Sequence, residues 1–269
     1  MHIPVHGIGS FLSPCRLCAL VHRCRPMPTS SQPAVNHRTR VGAVRREKTR
    51  LKILTSALHV FAEKGPDNVV AEDFIARAEV SRGTFYNYFN TTNELLLALA
   101  GTMSDEVLQV VDPMVLTYKN PVERFSVGTR LYMAMAMRYP LWGAFLRRVG
   151  TQLATRGQLI ETYLTRDLTL AFKQNMLNVS GVAVAHDIVL GSIFYGIDSM
   201  LTKKHLGNHP QHIIWHVLLG LGITRREAKR IAFMQLPAAG PVLGPIFSSL
   251  QTNPTTIPAS QSAKSRARN

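Results

Sequence analysis

From residue 45 to residue 236 apolar residues recur at intervals of three and four, and no run alternates Val, Ile or Thr with polar residues as a half-buried strand would. That periodicity predicts an all-α chain, because a pattern written for helices cannot hold a sheet register. Ile53, Leu54, Ala57, Val60 and Phe61 form one helical face, with Thr49 as its cap and Gly65-Pro66 as its stop. Short helices follow over Ala71 to Ala78, with Phe74, Ile75 and Ala78 inward, and over Arg82 to Phe89, with Ser81 as N-cap. Thr91 and Glu94 make a capping box ahead of Leu95, Leu96 and Leu99. Farther on, Pro121 opens a helix to about Arg138, Pro140 one to about Val149, and an amphipathic helix spans roughly Gly157 to Leu177. A long apolar helix, Val182 to His205, ends at Gly207. Its partner runs from Pro210 to Leu221 and closes on Gly222, and Thr224 with Glu227 caps a last helix toward Met234.

The net charge of +15 invites a nucleic-acid partner, but most of it lies outside this helical region. Residues 1–50 carry nine Lys or Arg against the single acid Glu47, and residues 236–269 carry Lys264, Arg266 and Arg268 against none, leaving the middle about four charges positive. Residues 1–44 and 237–269 scatter Pro, Ser, Thr and Gln without period, so both are expected to be disordered basic extensions. Met27 offers a second possible start. The expected organisation is an extension over 1–44, a small domain over 45–98, a larger helical domain over 99–236 and a tail over 237–269.

Several functions find no support. No stretch approaches the roughly 18 to 20 uninterrupted apolar residues of a spanning helix, so no membrane partner is expected. Cys15, Cys18 and Cys24 all lie in the first extension, which leaves the helical region free of disulfides and fits a reducing, cytoplasmic setting. Their spacing, with His22 nearby, lacks the second ligand pair of a zinc finger. His205, His209, His212 and His216 recur at four, three and four; only His212 and His216 share one helix face, which makes a metal-responsive regulator an alternative. No phosphate loop follows a strand, no His-Glu-x-x-His occurs, and Glu161, Asp187 and Asp198 form no paired-acid arrangement. Neither an enzyme nor a cofactor is expected, and a helical enzyme or scaffold without a DNA role stands as the remaining alternative.

The two short helices and the tight turn between them make a helix-turn-helix. A helix entering a major groove needs a slim N-terminal end, polar groups for base edges, and hydroxyls or amides for flanking phosphates. Ser81, Arg82, Gly83 and Thr84 supply that end: Gly83 permits close approach, Arg82 can donate a bidentate pair to guanine, and Thr84 can meet a thymine methyl or a phosphate. Phe85 and Phe89, four apart, point inward, whereas Tyr86, Asn87 and Tyr88 turn outward. Arg45, Arg46, Lys48 and Arg50 can add backbone or minor-groove contacts as a basic arm.

The run Val80-Ser81-Arg82-Gly83-Thr84-Phe85-Tyr86-Asn87-Tyr88-Phe89 resembles the signature of the TetR family of transcriptional regulators, and the likeness extends back through Thr49, Ile53-Leu54, Ala57, Phe61-Ala62, Gly65, Phe74 and Ala78 and forward to Leu95. The resemblance implies a three-helix, homeodomain-like helix-turn-helix domain, then a larger helical domain for ligand binding and dimerisation. It implies a homodimeric repressor that binds double-stranded DNA at a palindromic operator through Arg46, Ser81, Arg82, Gly83, Thr84, Tyr86, Asn87, Tyr88 and Thr92 and is released by a small molecule. Pocket candidates are Met133, Met137, Trp142, Phe145, Phe172, Met176 and Phe194, and dimer-interface candidates are Gly191, Tyr195, Gly196, Ser199, Ile214, Val217, Leu218 and Leu221. Three positions depart from the family pattern. Glu79 stands where glycine takes a left-handed turn, Val70 replaces a Thr cap so that Asp67 or Asn68 is expected to cap instead, and Thr92 replaces a phosphate-gripping lysine.

Overall fold

A computed structural model of the chain describes residues 37–153, 158–203 and 207–252, and among these every regular element is a helix. The chain divides into two compact units, Met1–Ala43 and Val44–Asn269; the described part of the first is the opening of α1, and the rest of α1 and every later helix belong to the second. The elements are α1 (His37–Lys64), α2 (Ala71–Ala78), α3 (Arg82–Tyr86), α4 (Thr92–Val115), α5 (Pro121–Arg138), α6 (Pro140–Val149), α7 (Leu159–Lys173), α8 (Val182–Thr202), α9 (His209–Gly220), α10 (Arg225–Ala232) and α11 (Pro245–Thr252), with a 3₁₀ turn at Gly150–Leu153. The cysteines and His205 lie outside the described residues.

Helix α1 starts twelve residues before the expected cap. Thr49 sits inside it, its hydroxyl donating to the Arg45 carbonyl at 3.1 Å, and residues 40–48 are exposed. Their Arg, Lys, Glu and Ala favour helix without an apolar face, so periodicity could not reveal them. The basic residues 45–50 therefore ride on a helix rather than a flexible arm. Inside the small domain, Ile53, Leu54, Ala57, Phe61, Phe74, Phe85 and Phe89 are buried, and their rings form a chain: Phe61 to Phe74 at 5.0 Å, Phe74 to Phe85 at 6.4 Å, Phe85 to Phe89 at 6.3 Å.

The turn before α3 keeps the conformation expected of the family despite its side chain. Glu79 sits at φ 47°, ψ 50°, and its N–H meets the Ala76 carbonyl at 3.2 Å. The expected substitute cap for α2 does not form. Val70 has no acceptor, so only the reciprocal half of a capping box remains, the Asp73 carboxylate accepting the Val70 N–H at 3.1 Å. Asp67 instead pairs with Arg148 on α6 at 3.2 Å, and Asn68 donates weakly to the Lys64 carbonyl at the end of α1. Thr224 makes no side-chain cap to α10 either; Glu227 is taken by Arg230, which also reaches Glu123 on α5 at 2.6 Å.

The larger domain packs α4, α5, α6, α7, α8 and α9 around one apolar core, and α6 ties it to the small domain through Phe145 on Phe61 at 5.7 Å. Helix α8 is by length and composition long and apolar enough to cross a membrane, with mean hydropathy 1.2, a test that a core helix also passes; 44% of that stretch is buried within the protein. It nevertheless carries His186, Asp187 and Asp198. The expectation of a disordered tail from 237 also fails. Residues 237–252 return over the larger domain and end in α11, with Val242, Ile246 and Phe247 buried. Proline and serine mask three apolar anchors, which together bury enough surface to order the segment.

The strained turn yields a test. Glu79→Gly is expected to raise stability by about 0.5 to 1 kcal/mol, since glycine relieves the left-handed penalty and the exposed Lys52–Glu79 pair at 3.9 Å contributes little. Urea unfolding should show a higher midpoint at unchanged slope; a lower midpoint would mean that the Glu79 side chain, not its backbone, is what matters.

Candidate functional site

Two places gather polar groups: the outer face of α3 and a cavity inside the larger domain. At the first, Ser81 adopts extended backbone and its Oγ accepts the Thr84 N–H at 3.0 Å, which starts α3 where the sequence predicts. The buried rings of Phe85 and Phe89 fix which face looks outward. Ser81, Arg82, Gly83, Tyr86 and Asn87 are exposed on that face, and a Cβ at Gly83 would meet nothing nearer than Ser81 Oγ at 4.0 Å.

Other members of the expected set are partly engaged. Thr84 is half-buried and shares a hydrogen bond with Ser81 Oγ at 2.8 Å. Tyr88 is half-buried too, and its hydroxyl donates to the Arg46 carbonyl at 3.2 Å, so it braces α1 as well as facing outward. Thr92 opens α4 behind its cap, where Thr91 accepts the Glu94 N–H at 3.0 Å and Glu94 takes the Asn90 N–H at 2.8 Å. Arg46 is exposed on α1. Arg82, read as a base-contacting residue, is hydrogen-bonded to Glu72 on α2. Glu72's own backbone N–H and then the Arg82 guanidinium hold its carboxyl below the usual glutamate range. The pair is exposed and can exchange for a base or phosphate at little cost.

The cavity lies between α4, α5, α7 and α8, with about 50 Å³ of free space. Its apolar wall includes Leu108, Val111, Phe125, Ile160 and Ile193. Set into that wall are four charges. Arg166 holds Asp112 in a two-pronged pair at 2.8 and 3.2 Å, and Asp167 in another at 2.9 and 3.0 Å, while Arg124 lies 3.7 Å from Asp167. These hydrogen bonds, those to Asp167 foremost, push Arg166 further above its already high range. Tyr132, deeply buried beside them, shares a hydrogen bond with Ser104 of α4 at 2.7 Å, and burial pushes its phenol up.

None of the seven pocket candidates lines this cavity. Met133, Trp142, Phe145 and Phe194 are buried elsewhere in the core, and Met137 and Phe172 are 39% and 37% exposed. Met176 packs at the edge. For Met133 and Phe194 the reason is rotational, since α5 and α8 border the cavity through Tyr132 and Ile193, one position round; α7 borders it through Tyr163, Leu164, Arg166 and Asp167, more than a turn before Phe172, and α6, which carries Trp142 and Phe145, does not border it. A signal existed in the sequence, since Asp112 interrupts an apolar run and Arg166-Asp167 interrupt another, and charges on a buried face need partners.

The dimer-interface candidates divide. Gly196, Ser199, Ile214, Val217, Leu218 and Leu221 are buried within the single chain, Gly196 lying against Met133 and Ile213. Tyr195 is 72% exposed, and Gly191, Val184 and Ile188 complete an exposed stripe along α8. Apolar stripes on both faces of α8 make the choice ambiguous from sequence. Among the described residues no three metal-ligating side chains gather, and His212 rests edge-on against Phe233 at 5.3 Å.

Known proteins share both halves of this arrangement. Residues 53–99 match the family described as bacterial regulatory proteins, tetR family, and residues 120–234 match the tetracyclin repressor-like C-terminal domain. The chain belongs to the TetR family. It is an all-helical, DNA-binding transcriptional regulator with an N-terminal helix-turn-helix, and such regulators are not enzymes. Among curated proteins, the uncharacterized HTH-type transcriptional regulator YvdT of Bacillus subtilis (strain 168) is 37% identical over 60 residues, covering 22% of this chain. The match spans 31% of that relative's length. Among solved structures, RolR in complex with its ligand resorcinol is 28% identical with a TM-score of 0.61, covering 74% of this chain and 100% of that one. RolR without ligand gives 27% and 0.62, covering 71% and 100%.

The charge cluster generates its own test. Asp167→Asn keeps the shape but leaves Arg124 and half of the Arg166 fork without an anion, and should cost about 2 to 3 kcal/mol, below the figure for a fully dry pair because Arg166 is a third exposed. Thermal or urea unfolding reads it. A loss under about 0.5 kcal/mol, the scale of an ordinary surface change, would mean that water already solvates the cluster.

Proposed function

We propose that this TetR-family regulator acts as a homodimeric repressor in the cytoplasm, placing α3 in successive major grooves of a palindromic operator and leaving it when a small hydroxylated aromatic molecule enters the cavity. The observation that carries the reading is the division of α3 and its cap: Phe85 and Phe89 inward, Ser81, Arg82, Gly83, Tyr86 and Asn87 outward on a bare rim. In this reading Arg82 and Asn87 read base edges, while Ser81, Thr84, Tyr86, Thr92 and the Arg46 side chain grip phosphates. Tyr88 contributes by fixing α1 against α3.

The effector class is supported by the cavity's chemistry. Two carboxylates can accept from ligand hydroxyls and two guanidinium groups can donate, with no net charge among the four, inside apolar walls. RolR, similar in fold and at 28% identity, takes resorcinol, an aromatic diol of that kind. Free space of about 50 Å³ suits a few waters, so an aromatic ring must push the walls apart. One wall is α4, which contributes Leu108, Val111, Asp112 and Val115 to the cavity and begins at Thr92, directly after the helix-turn-helix, with Leu95 and Leu99 buried in the core. Over 24 residues it spans roughly 36 Å, so a push at one end is carried to the other. A ligand that binds only the opened cavity thereby disfavours the DNA-reading arrangement.

For pairing, the exposed stripe Val184, Ile188, Gly191 and Tyr195 on α8 supports contact with the same stripe on a second copy. Two heads then read half-sites about one DNA turn apart.

Duplexes selected by the protein from a random library give the decisive measurement. Arg82→Ala should cost about 1 to 3 kcal/mol of operator affinity and relax preference at one base, whereas Tyr86→Phe should weaken all sequences alike. Tyr195→Arg should yield monomers in sedimentation and lose most operator affinity. Failure of the wild type to enrich any sequence at low salt would refute specific DNA reading, and reversed behaviour of the first two variants would exchange their roles.

A further inference from the structure

The segment after the family match, residues 235–252, is held by contacts that a passive tail does not need. It is fastened where it begins, at Met234, and at three points along its length. Arg130, buried on α5, donates to the Met234 carbonyl at 2.7 Å, and Arg138 donates to the Ala239 carbonyl at 2.8 Å. The Tyr139 hydroxyl accepts the Val242 N–H at 3.1 Å. At the far end the buried carboxylate of Glu106, in the middle of α4, accepts the N–H groups of Ile246 and Phe247 at 2.8 and 3.0 Å, closing the N-terminus of α11. Gly244 makes this possible, because a Cβ there would overlap the Glu106 carboxylate.

Glu106 is an expensive residue to place here. Burial pushes its carboxyl up from the ordinary glutamate range and only the two N–H groups of α11 pull it back. A leucine would have packed at no such cost, so the position is better explained by the contact it makes than by stability. The contact joins two things. Phe247 lies on Tyr139 at 4.7 Å and on Trp142 at 6.3 Å, and Trp142 meets Tyr132, a wall of the cavity, at 5.1 Å. Glu106 lies two residues along α4 from Ser104, the hydrogen-bond partner of that same tyrosine, and α4 continues to the DNA-reading domain.

We infer that residues 235–252 are a strap which latches α4 through Glu106 in the closed-cavity, DNA-competent arrangement, so that the strap sets how readily the regulator lets go of DNA. The inference rests on the proposed repressor function. The latch stabilises one arrangement of α4 and not the other, so undoing it shifts the population toward the released form.

The test uses the full chain with Glu106→Gln, which sets an NH2 group against one of the two N–H groups and so weakens the latch from α4, and Gly244→Ala, whose Cβ would displace the carboxylate from the strap side. Operator affinity is read by anisotropy on a duplex selected by the wild type, and amide hydrogen exchange is followed along α4. Both variants should bind the duplex about five- to fifty-fold more weakly, and exchange should quicken at residues 92–99 as well as around Glu106. Ile214→Val, a core truncation on α9, serves as a control for general destabilisation and should leave affinity unchanged. Wild-type affinity in both latch variants, or exchange quickened only beside Glu106, overturns the inference. If the wild type selects no duplex, the exchange pattern still decides whether the latch acts on the far end of α4, and only the DNA reading is lost.

Discussion

The constraint on which the rest depends is that α4 is an apolar helix with four polar side chains that burial obliges to find partners. Between them they fix three neighbours, α5, α7 and α11. Ser104 bonds Tyr132 of α5, Asp105 accepts the Leu159 N–H at the start of α7, Glu106 closes α11, and Asp112 takes Arg166 of α7. Hydrophobic contacts alone would tolerate a slide or rotation of α4 in its groove, since apolar packing is non-directional. A buried hydroxyl or carboxylate does not, because losing its partner costs more than the bond itself contributes. The register of the helix is therefore specified by polar groups while its stability comes from Leu95, Leu99, Met103, Val107 and Val111.

The same division explains what could be read in the sequence. Helix periods, proline starts and the Thr91 cap are local signals, and α2, α5 and α6 follow them closely, because each depends on residues within one turn of one another. The inward and outward faces of α3 are legible for the same reason, although the helix ends at Tyr86 and not at Phe89 as expected: Phe85 within it and Phe89 in the turn after it are buried and leave one rim. The left-handed turn at Glu79 survives an unfavourable residue because the hydrogen bonds of its neighbours, Val80 N–H to Ile75 carbonyl among them, over-determine it.

What was not legible is pairing at a distance. Asp112 and Arg166 are 54 residues apart, and Glu106 and Ile246 are 140 apart. Nothing local marks them as partners, although a charge in the middle of an apolar run announces that some partner must exist. The interior of the larger domain escaped in a second way. On a helix with apolar residues on both faces, such as α8, hydrophobicity no longer says which neighbour a residue meets, so cavity wall, subunit interface and plain core look alike. Ordering of the strap was hidden by composition: Pro, Gly and Ser recur through residues 237–249, and three anchors, Val242, Ile246 and Phe247, decide the outcome.

The energies involved are of the size a switch requires. Coupling between ligand and DNA of about 1 to 3 kcal/mol is enough for a roughly five- to hundred-fold change in occupancy. Two charge-assisted hydrogen bonds at Glu106, each about 1.5 to 3 kcal/mol before the cost of burying the carboxylate, leave a net of that same order. In the proposed switch, a much stronger clamp, such as an additional fully apolar helix interface, would hold α4 against any small ligand, and a weaker one would let the cavity open unprompted and leave the operator half-occupied. A desolvated acid whose cost and gain nearly cancel sits between these limits, and a greasy side chain at that position could not, since it would only add stability to whichever arrangement happened to bury it.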